Sequence, residues 1–305
     1  MIIKFDLNLK NQEIYANGDD LSRALAIDKD EKGNRVYTWP KNKKQYVVTL
    51  KNPVLVTDFY KICQLKPTLR DTVLALFSYP LKITEYENTS LEFEQQKYPG
   101  VWGPSIDTLL FCKALKKLNL NNFKTAVELG CGSGFISKYL LNNSKIKRID
   151  LIDLNPHATR CAKNNINDAR AKFYTGNAID LIRGKKYDLI ICNPPYIPRP
   201  KSIDDNPYEG ITLLHFLITN AKNLLNKNGV IITNISTLCE HLTTPLIKNS
   251  NVKVKFLEIL EVPLKVYNVL NNTEWMNYLL KKGLKKQVKK GYEYWHTIKI
   301  VQIKK

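Results

Sequence analysis

The sequence predicts an α/β protein: an open, mostly parallel sheet with helices on both faces and an antiparallel C-terminal edge, preceded by a smaller mixed α/β module. Three observations predict it. From residue 125 onward, short apolar runs alternate with helical patterns, the order that calls for a parallel sheet joined by right-handed crossovers. One run, residues 125–129, passes into Gly130-Cys131-Gly132-Ser133-Gly134 and then a helix pattern. Another, residues 187–192, stops at Asn193-Pro194-Pro195-Tyr196. Proline supplies no ladder donor and pushes the residue before it out of the helical region, so Asn193 falls at the carboxyl end of a strand.

The elements follow in order. Ile3, Phe5, Leu7 and Leu9 alternate with polar residues, the period-2 signature of a half-buried strand. Residues 36–39 and 46–50 form a second pair of strands, joined as a hairpin by residues 40–44. Leu69, Val73, Leu76 and Phe77 share one helical face behind Pro67 and Thr68. Turn-formers and aromatics gather between Tyr98 and Pro104, which sets a boundary just before them: a mixed α/β substrate-recognition module over residues 1–95 and a second domain over residues 96–305. Ser105 can cap a helix whose apolar face is Ile106, Leu109, Leu110, Ala114 and Leu118. Strands are then expected at 125–129, 148–154, 172–176, 187–192 and 230–235, with helices at 135–141, 157–169 and 211–225. The tail adds strands at 252–262 and 294–303 around a helix at 273–282, antiparallel at the sheet edge.

Composition limits the function classes. Six cysteines contain no C-x-x-C pair, which argues against a zinc ribbon, a redox dithiol or a disulfide framework, so no metal is expected. The amino terminus lacks a signal peptide's apolar stretch, and no run approaches the roughly 18 apolar residues of a membrane span. A cytoplasmic protein without membrane contact is the expectation. The formal charge is +19, and residues 249–305 carry 12 basic against 4 acidic side chains. Either a polyanionic partner (RNA, DNA or a ribosome) or a general use of lysine on solvated faces accounts for that excess. In the 281–290 segment, bracketed by Trp275 and Trp295, the same choice arises between a basic patch and a solvated helix–strand connection.

Two motifs carry chemistry. Glycines let a chain turn sharply and approach a ligand, and the helix start beyond them offers unpaired N–H groups. Asp153, 19 residues after Gly134 at the end of the next strand, can accept both hydroxyls of a ribose. Nothing like a phosphate-binding lysine follows the loop, so an adenosine ligand without pyrophosphate fits best. At the other motif, the Asn193 side-chain oxygen and the Pro194 carbonyl are two acceptors pointing one way. A planar NH2 group is the substrate they suit. His157, His215, His241 and His296 stand at no nucleophile–base spacing and read as surface or packing.

Glu128 to Gly134, Asp153 and Asn193-Pro194-Pro195-Tyr196 together resemble the class I S-adenosylmethionine-dependent N-methyltransferases, whose sheet is Rossmann-like. Within them the chain is most similar to the HemK-like protein-(glutamine-N5) methyltransferases, through Pro104-Ser105-Ile106-Asp107-Thr108 and Tyr208-Glu209-Gly210. The resemblance spans roughly residues 95–240. It implies S-adenosylmethionine as cofactor. Its methionine moiety would lie on Glu128, Gly130, Cys131, Gly132 and Gly134, its ribose on Asp153, and its adenine near Asn177 and Ala178, with Asn193 bordering it. Asn193, Pro194 and Tyr196 would be catalytic, and Pro195 and Tyr196 would meet the substrate. Glu128 has a competing reading as an electrostatic partner of the helix start, and Tyr196 one as packing under its loop.

Three functions stay open. The first is methylation of a glutamine in a translation-related protein, favoured by the acidic run of Asp204, Asp205 and Glu209, which would repel phosphates. The second is methylation of an exocyclic base amine of RNA or DNA, such as adenine N6 or guanine N2. It is kept open by the strand-rich lead module, by Leu109 where the family carries an acidic residue, and by the basic tail. The third is a non-catalytic relative that binds the cofactor and stabilises a partner.

Overall fold

The computed structural model describes residues 82–93, 97, 98, 100–201, 210–264, 266–270, 272–289 and 292–305, together with short strands within residues 5–55. The chain divides into two compact units, residues 1–99 with 288–293 and residues 100–287 with 294–305.

In the first unit the described elements are strands. Phe5–Asn8 pairs antiparallel with Glu13–Ala16, and Arg35–Thr38 lies between Ala26–Lys29 and Gln45–Val48, both antiparallel to it. The expected hairpin therefore forms, with Arg35 opposite Val48. Lys82–Tyr86 turns back on Thr89–Phe93, in which Leu91 and Phe93 point inward and Glu92 outward. The helix expected around Leu69 to Phe77 lies outside the described residues.

The second unit is the wound sheet. Its helix α1 (Ile106–Leu115) begins with the Ser105 N–H donating to the Thr108 hydroxyl at 3.1 Å, one half of a capping box. There follow β1 (Thr125–Leu129), α2 (Phe135–Asn143), β2 (Arg148–Asp153), α3 (Pro156–Asn165), β3 (Ala171–Thr175), α4 (Ala178–Ile182), β4 (Tyr187–Cys192), α5 (Thr212–Leu224) and β5 (Leu225–Ser236). The tail is α6 (Glu240–Ser250), β6 (Lys253–Pro263), α7 (Tyr267–Leu270), α8 (Thr273–Lys282), β7 (Lys285–Lys289) and β8 (Tyr292–Lys304). The sheet runs β3-β2-β1-β4-β5-β8-β6, with β7 off that path. β1 to β5 are mutually parallel. The central ones, β1, β4 and the 230–235 part of β5, are largely apolar because helices cover both faces of the sheet there, while the outer β3 is mostly half-buried or exposed. Val127, Leu129, Ile190 and Ile231, for example, belong to one core with Leu214, Leu217 and Ile218 of α5.

The two tail strands stand antiparallel at the sheet edge as expected, β6 outermost and β8 between β5 and β6, which suits the nearly continuous burial of β8 from Ile298 to Ile303. The tail differs from expectation in two ways. Part of the basic 281–290 segment is a strand, β7, rather than a plain connection. α6 was not anticipated, since Pro245 and several polar residues interrupt its pattern.

Candidate active site

The register of the sheet sets one row of residues at its carboxyl edge. Leu129 is paired with both Ile152 and Cys192, and Cys192 with Thr233. The next residue on each strand is therefore Asp153, Gly130, Asn193 or Asn234, level with one another across β2, β1, β4 and β5. Carboxyl edges are where open α/β sheets bind ligands.

The glycine loop is pinned to the end of β2. Gly130 and Cys131 donate their N–H groups to the Ile152 carbonyl at 2.8 and 3.1 Å, and Gly132 donates to Asp153 Oδ2 at 2.9 Å. Gly130, Gly132 and Gly134 have φ of +69°, +50° and +80°, the left-handed region where glycine is at home. A Cβ on Gly134 would meet Ala162 and Ile166 at 3.0 Å, so this glycine seats the loop against α3, whereas one on Gly130 would meet nothing within 4 Å and faces open space. Cys131 is buried within the loop. Asp153 Oδ1 accepts from the Asn155 N–H at 2.9 Å. Burial raises the Asp153 pKa above the ordinary carboxylate value, against backbone N–H bonds from Asn155, Gly132 and Leu154 that lower it.

Glu128 lies beneath the loop, 3% exposed. Its Oε2 accepts both the Ser137 N–H, at 3.0 Å, and the Ser137 hydroxyl, in the first turn of α2. Burial pushes its pKa up to about 8 despite those two bonds, with the Asp153 charge adding a little. Asn177 is exposed, and its Oδ1 caps α4 by accepting the Ile179 N–H at 2.9 Å, which leaves its NH2 and one lone pair of the oxygen for other partners. Ala178 follows as the first residue of α4.

This cradle fits an adenosyl cofactor. It offers open space at Gly130, a carboxylate at the neighbouring strand end, and a helix start beyond the loop.

The second half of the edge is the Asn193 motif. Asn193 is half-buried, and its Oδ1 accepts from Asn234 Nδ2 at 2.5 Å. Asn234 is fully buried, and its own Oδ1 has no hydrogen-bond partner. Cys192 is fully buried in the core under α5, turned away from the motif. Pro194 is buried and Pro195 half-buried. The Tyr196 hydroxyl donates to Asp107 Oδ2 of α1 at 3.1 Å. Burial first, and then the Asp107 carboxylate, raises the Tyr196 pKa well above its ordinary value. The Tyr196 ring lies 5.6 Å from the His296 ring, tilted by 44°, and His296 Nδ1 is 2.9 Å from Ser236 Oγ. Beyond the motif, Trp275 of α8 donates its indole N–H to the Pro198 carbonyl at 2.8 Å.

Asp107, Asn234, Ser236 and His296 thus support the motif, and sequence reasoning did not place any of them there. A signal existed for two: Asn234 and Ser236 are polar residues two apart, hence on one face, inside a strand buried on both sides. Of the four histidines, His296 is a packing residue, 2% exposed, but it packs against the motif. Asp204, Asp205, Tyr208 and Glu209 lie outside the described residues, while Gly210 donates to the Ile197 carbonyl at 2.8 Å. Among the described residues no group of three or more His, Cys, Asp or Glu side chains could hold a metal ion, and no helix is long and apolar enough to cross a membrane. The five described cysteines are in no disulfide.

Comparison with known proteins adds a family. Residues 102–255 match the methyltransferase small domain. A putative protein N5-glutamine methyltransferase of Methanocaldococcus jannaschii is 31% identical over 201 residues, 62% of this chain and 98% of that protein. A release factor glutamine methyltransferase of Clostridium acetobutylicum is 34% identical over 139 residues, 42% of this chain and 48% of that protein. A ribosomal protein uL3 glutamine methyltransferase of Francisella tularensis is 26% identical over 135 residues, 38% of this chain and 43% of that protein. The chain therefore spans about half the length of the two bacterial relatives and nearly all of the archaeal one.

Proposed function

The chain belongs to the methyltransferase small domain family, with S-adenosylmethionine as methyl donor, and on that footing we propose that it methylates the side-chain amide nitrogen of a glutamine in a protein of the translation machinery. The observation that carries the proposal is the pair of acceptors at the end of β4, the Asn193 carboxamide oxygen and the Pro194 carbonyl, level with the glycine loop on the adjacent strand. The likeness to three proteins named as glutamine methyltransferases supports glutamine as the acceptor. In this reading the protein works in the cytoplasm, where translation proteins are found.

When bound, S-adenosylmethionine supplies an electrophilic methyl group on a sulfonium sulfur. The 130–134 loop and Asp153 would hold it, with Asn177 and Ala178 toward the adenine. Glu128 acts one layer below, as the partner of Ser137 that fixes the start of α2. An amide nitrogen is a poor nucleophile because its lone pair is delocalised into the amide plane. Asn193 Oδ1 and the Pro194 carbonyl accept its two N–H hydrogens, aim the nitrogen, and stabilise the positive charge that grows on it during transfer. No strong base need act first. Tyr196, anchored by Asp107 and His296, walls one side of the acceptor, and Pro195 narrows the approach.

A second reading, transfer to an exocyclic base amine of RNA or DNA, is favoured by the exposed basic stretch of β7, where Lys285, Lys286, Gln287 and Val288 all face solvent. The same two acceptors suit such a group. The test is incubation with tritiated S-adenosylmethionine and, separately, total soluble protein and total RNA of the source cells. The proposal expects label in protein, recovered as N5-methylglutamine after proteolysis. Label confined to RNA would overturn it.

A further inference from the structure

We propose that Asn234 is a positioning residue, which fixes the Asn193 carboxamide with its oxygen, rather than its NH2, toward the acceptor nitrogen; the inference rests on the reading of Asn193 given above. A carboxamide has two ends of nearly equal shape and opposite polarity. Only the oxygen can accept an N–H, so an Asn193 side chain turned the other way would present donors to donors. Its backbone position, locked by the two prolines that follow, does not decide between the two ends.

Asn234 does decide. Its Nδ2 donates to Asn193 Oδ1 at 2.5 Å from the adjacent strand. That bond uses one lone pair of the oxygen and leaves the second for the acceptor. Turning Asn193 over would set its NH2 against the NH2 of Asn234. Turning both over would restore a bond, but would strand the donors of Asn234 in the core in place of one oxygen.

Asn234 is also unexplained as a stabilising residue. It is 0% exposed and its Oδ1 has no partner, in a buried stretch of strand that holds Val230, Ile231, Ile232 and Ile235 beside Ser236 and Thr233, whose Oγ1 is likewise unpaired. A buried acceptor left unpaired is a destabilising feature that calls for another reason. Orientation of Asn193 is such a reason. Ser236, the next residue on the same face of β5, serves Tyr196 through His296 in a parallel way.

The test uses Asn234→Leu in the full chain, a change close in shape that removes both the donor and the orphaned oxygen. Three quantities are read: melting temperature, S-adenosylmethionine affinity by calorimetry, and the initial rate of tritium transfer into total soluble protein. The expected result is a melting temperature no lower than wild type, cofactor affinity within about twofold, and a transfer rate lower by about tenfold or more, in the range of a lost transition-state orientation. A purely structural residue would couple the rate to the melting temperature, so an unchanged rate, or one that falls only as the protein melts, overturns the inference. A substrate-independent readout is the Asn193 side-chain amide signal in a nitrogen-15 spectrum, assigned by its loss in Asn193→Ala. It should shift and broaden in Asn234→Leu, or in Asn234→Ala should the leucine variant not fold, and an unmoved signal refutes the positioning role. If wild type labels no protein, the glutamine reading fails, and the amide signal alone still decides the role of Asn234.

Discussion

Two aspartates of one sheet, at opposite ends of its strands, are treated in opposite ways. Asp188 stands near the start of β4. Its Oδ2 accepts from the backbone N–H groups of Lys124 and Thr125 at 2.9 and 3.0 Å and from the Thr125 hydroxyl at 3.2 Å, and its Oδ1 accepts from Asn226 at 2.7 Å. Burial opposes its ionisation, yet the bonds from Asn226, Lys124 and Thr125 outweigh it and hold the carboxyl below its ordinary value. Asp153 stands at the end of β2, where burial wins over the N–H groups that reach it. The amino edge of the sheet is closed by mutual satisfaction among strand starts. The carboxyl edge is less fully satisfied: burial raises the pKa of both Asp153 and Glu128, and the Asn234 oxygen has no partner.

That contrast can be broken by mutation at either end. The largest effect is expected from Asn193→Ala, which removes one of two acceptors of the developing charge; transfer of tritium into protein should fall by about a hundredfold or more. A rate near wild type would mean that the motif does not act on the acceptor. Asp188→Ala should do the reverse. It should lower stability by about 1–2 kcal/mol through loss of its bonds, read by urea denaturation at neutral pH. Cofactor affinity and rate should remain those of wild type. Because the native pKa of Asp188 is depressed, its contribution is present above the unfolded value and is lost as pH falls through the native one, so the difference between variant and wild type should shrink below about pH 4.

A further effect concerns Glu128 and is visible as a slope. Its native pKa of about 8 exceeds the ordinary 4.5, so the native state holds more protons than the unfolded chain between those values. Stability should therefore decline as pH rises across that window. Glu128→Gln keeps an oxygen for Ser137 and removes the titration, so its stability should vary less between pH 5 and 8. Equal slopes in the two proteins would remove Glu128 from the account.

The contrast also shows what could be read from the sequence. β1, β4 and the 230–235 part of β5 were legible because strands buried on both faces are written as apolar runs, β2 and β3 because they alternate with helical patterns, and the glycine loop, Asp153 and Asn193 because each ends or follows a strand. The partners were not legible. Asp107 meets Tyr196 across 89 residues, Asp188 meets Thr125 across 63, and Asn234 meets Asn193 across 41. Such pairs depend on strand order, which periodicity does not encode. The tail was read incompletely: the basic 281–290 run, left between a basic patch and a connection, contains β7, and a proline hid α6.

The division of the carboxyl edge into a cofactor half around Asp153 and an acceptor half around Asn193 is tested most directly by calorimetric titration of S-adenosylmethionine into Asp153→Ala and Asn193→Ala. The account predicts that Asp153→Ala weakens binding by about tenfold or more, the loss of a charge-assisted hydrogen bond, while Asn193→Ala stays within about threefold of wild type. Undiminished affinity in Asp153→Ala, or an equal loss in Asn193→Ala, would contradict it.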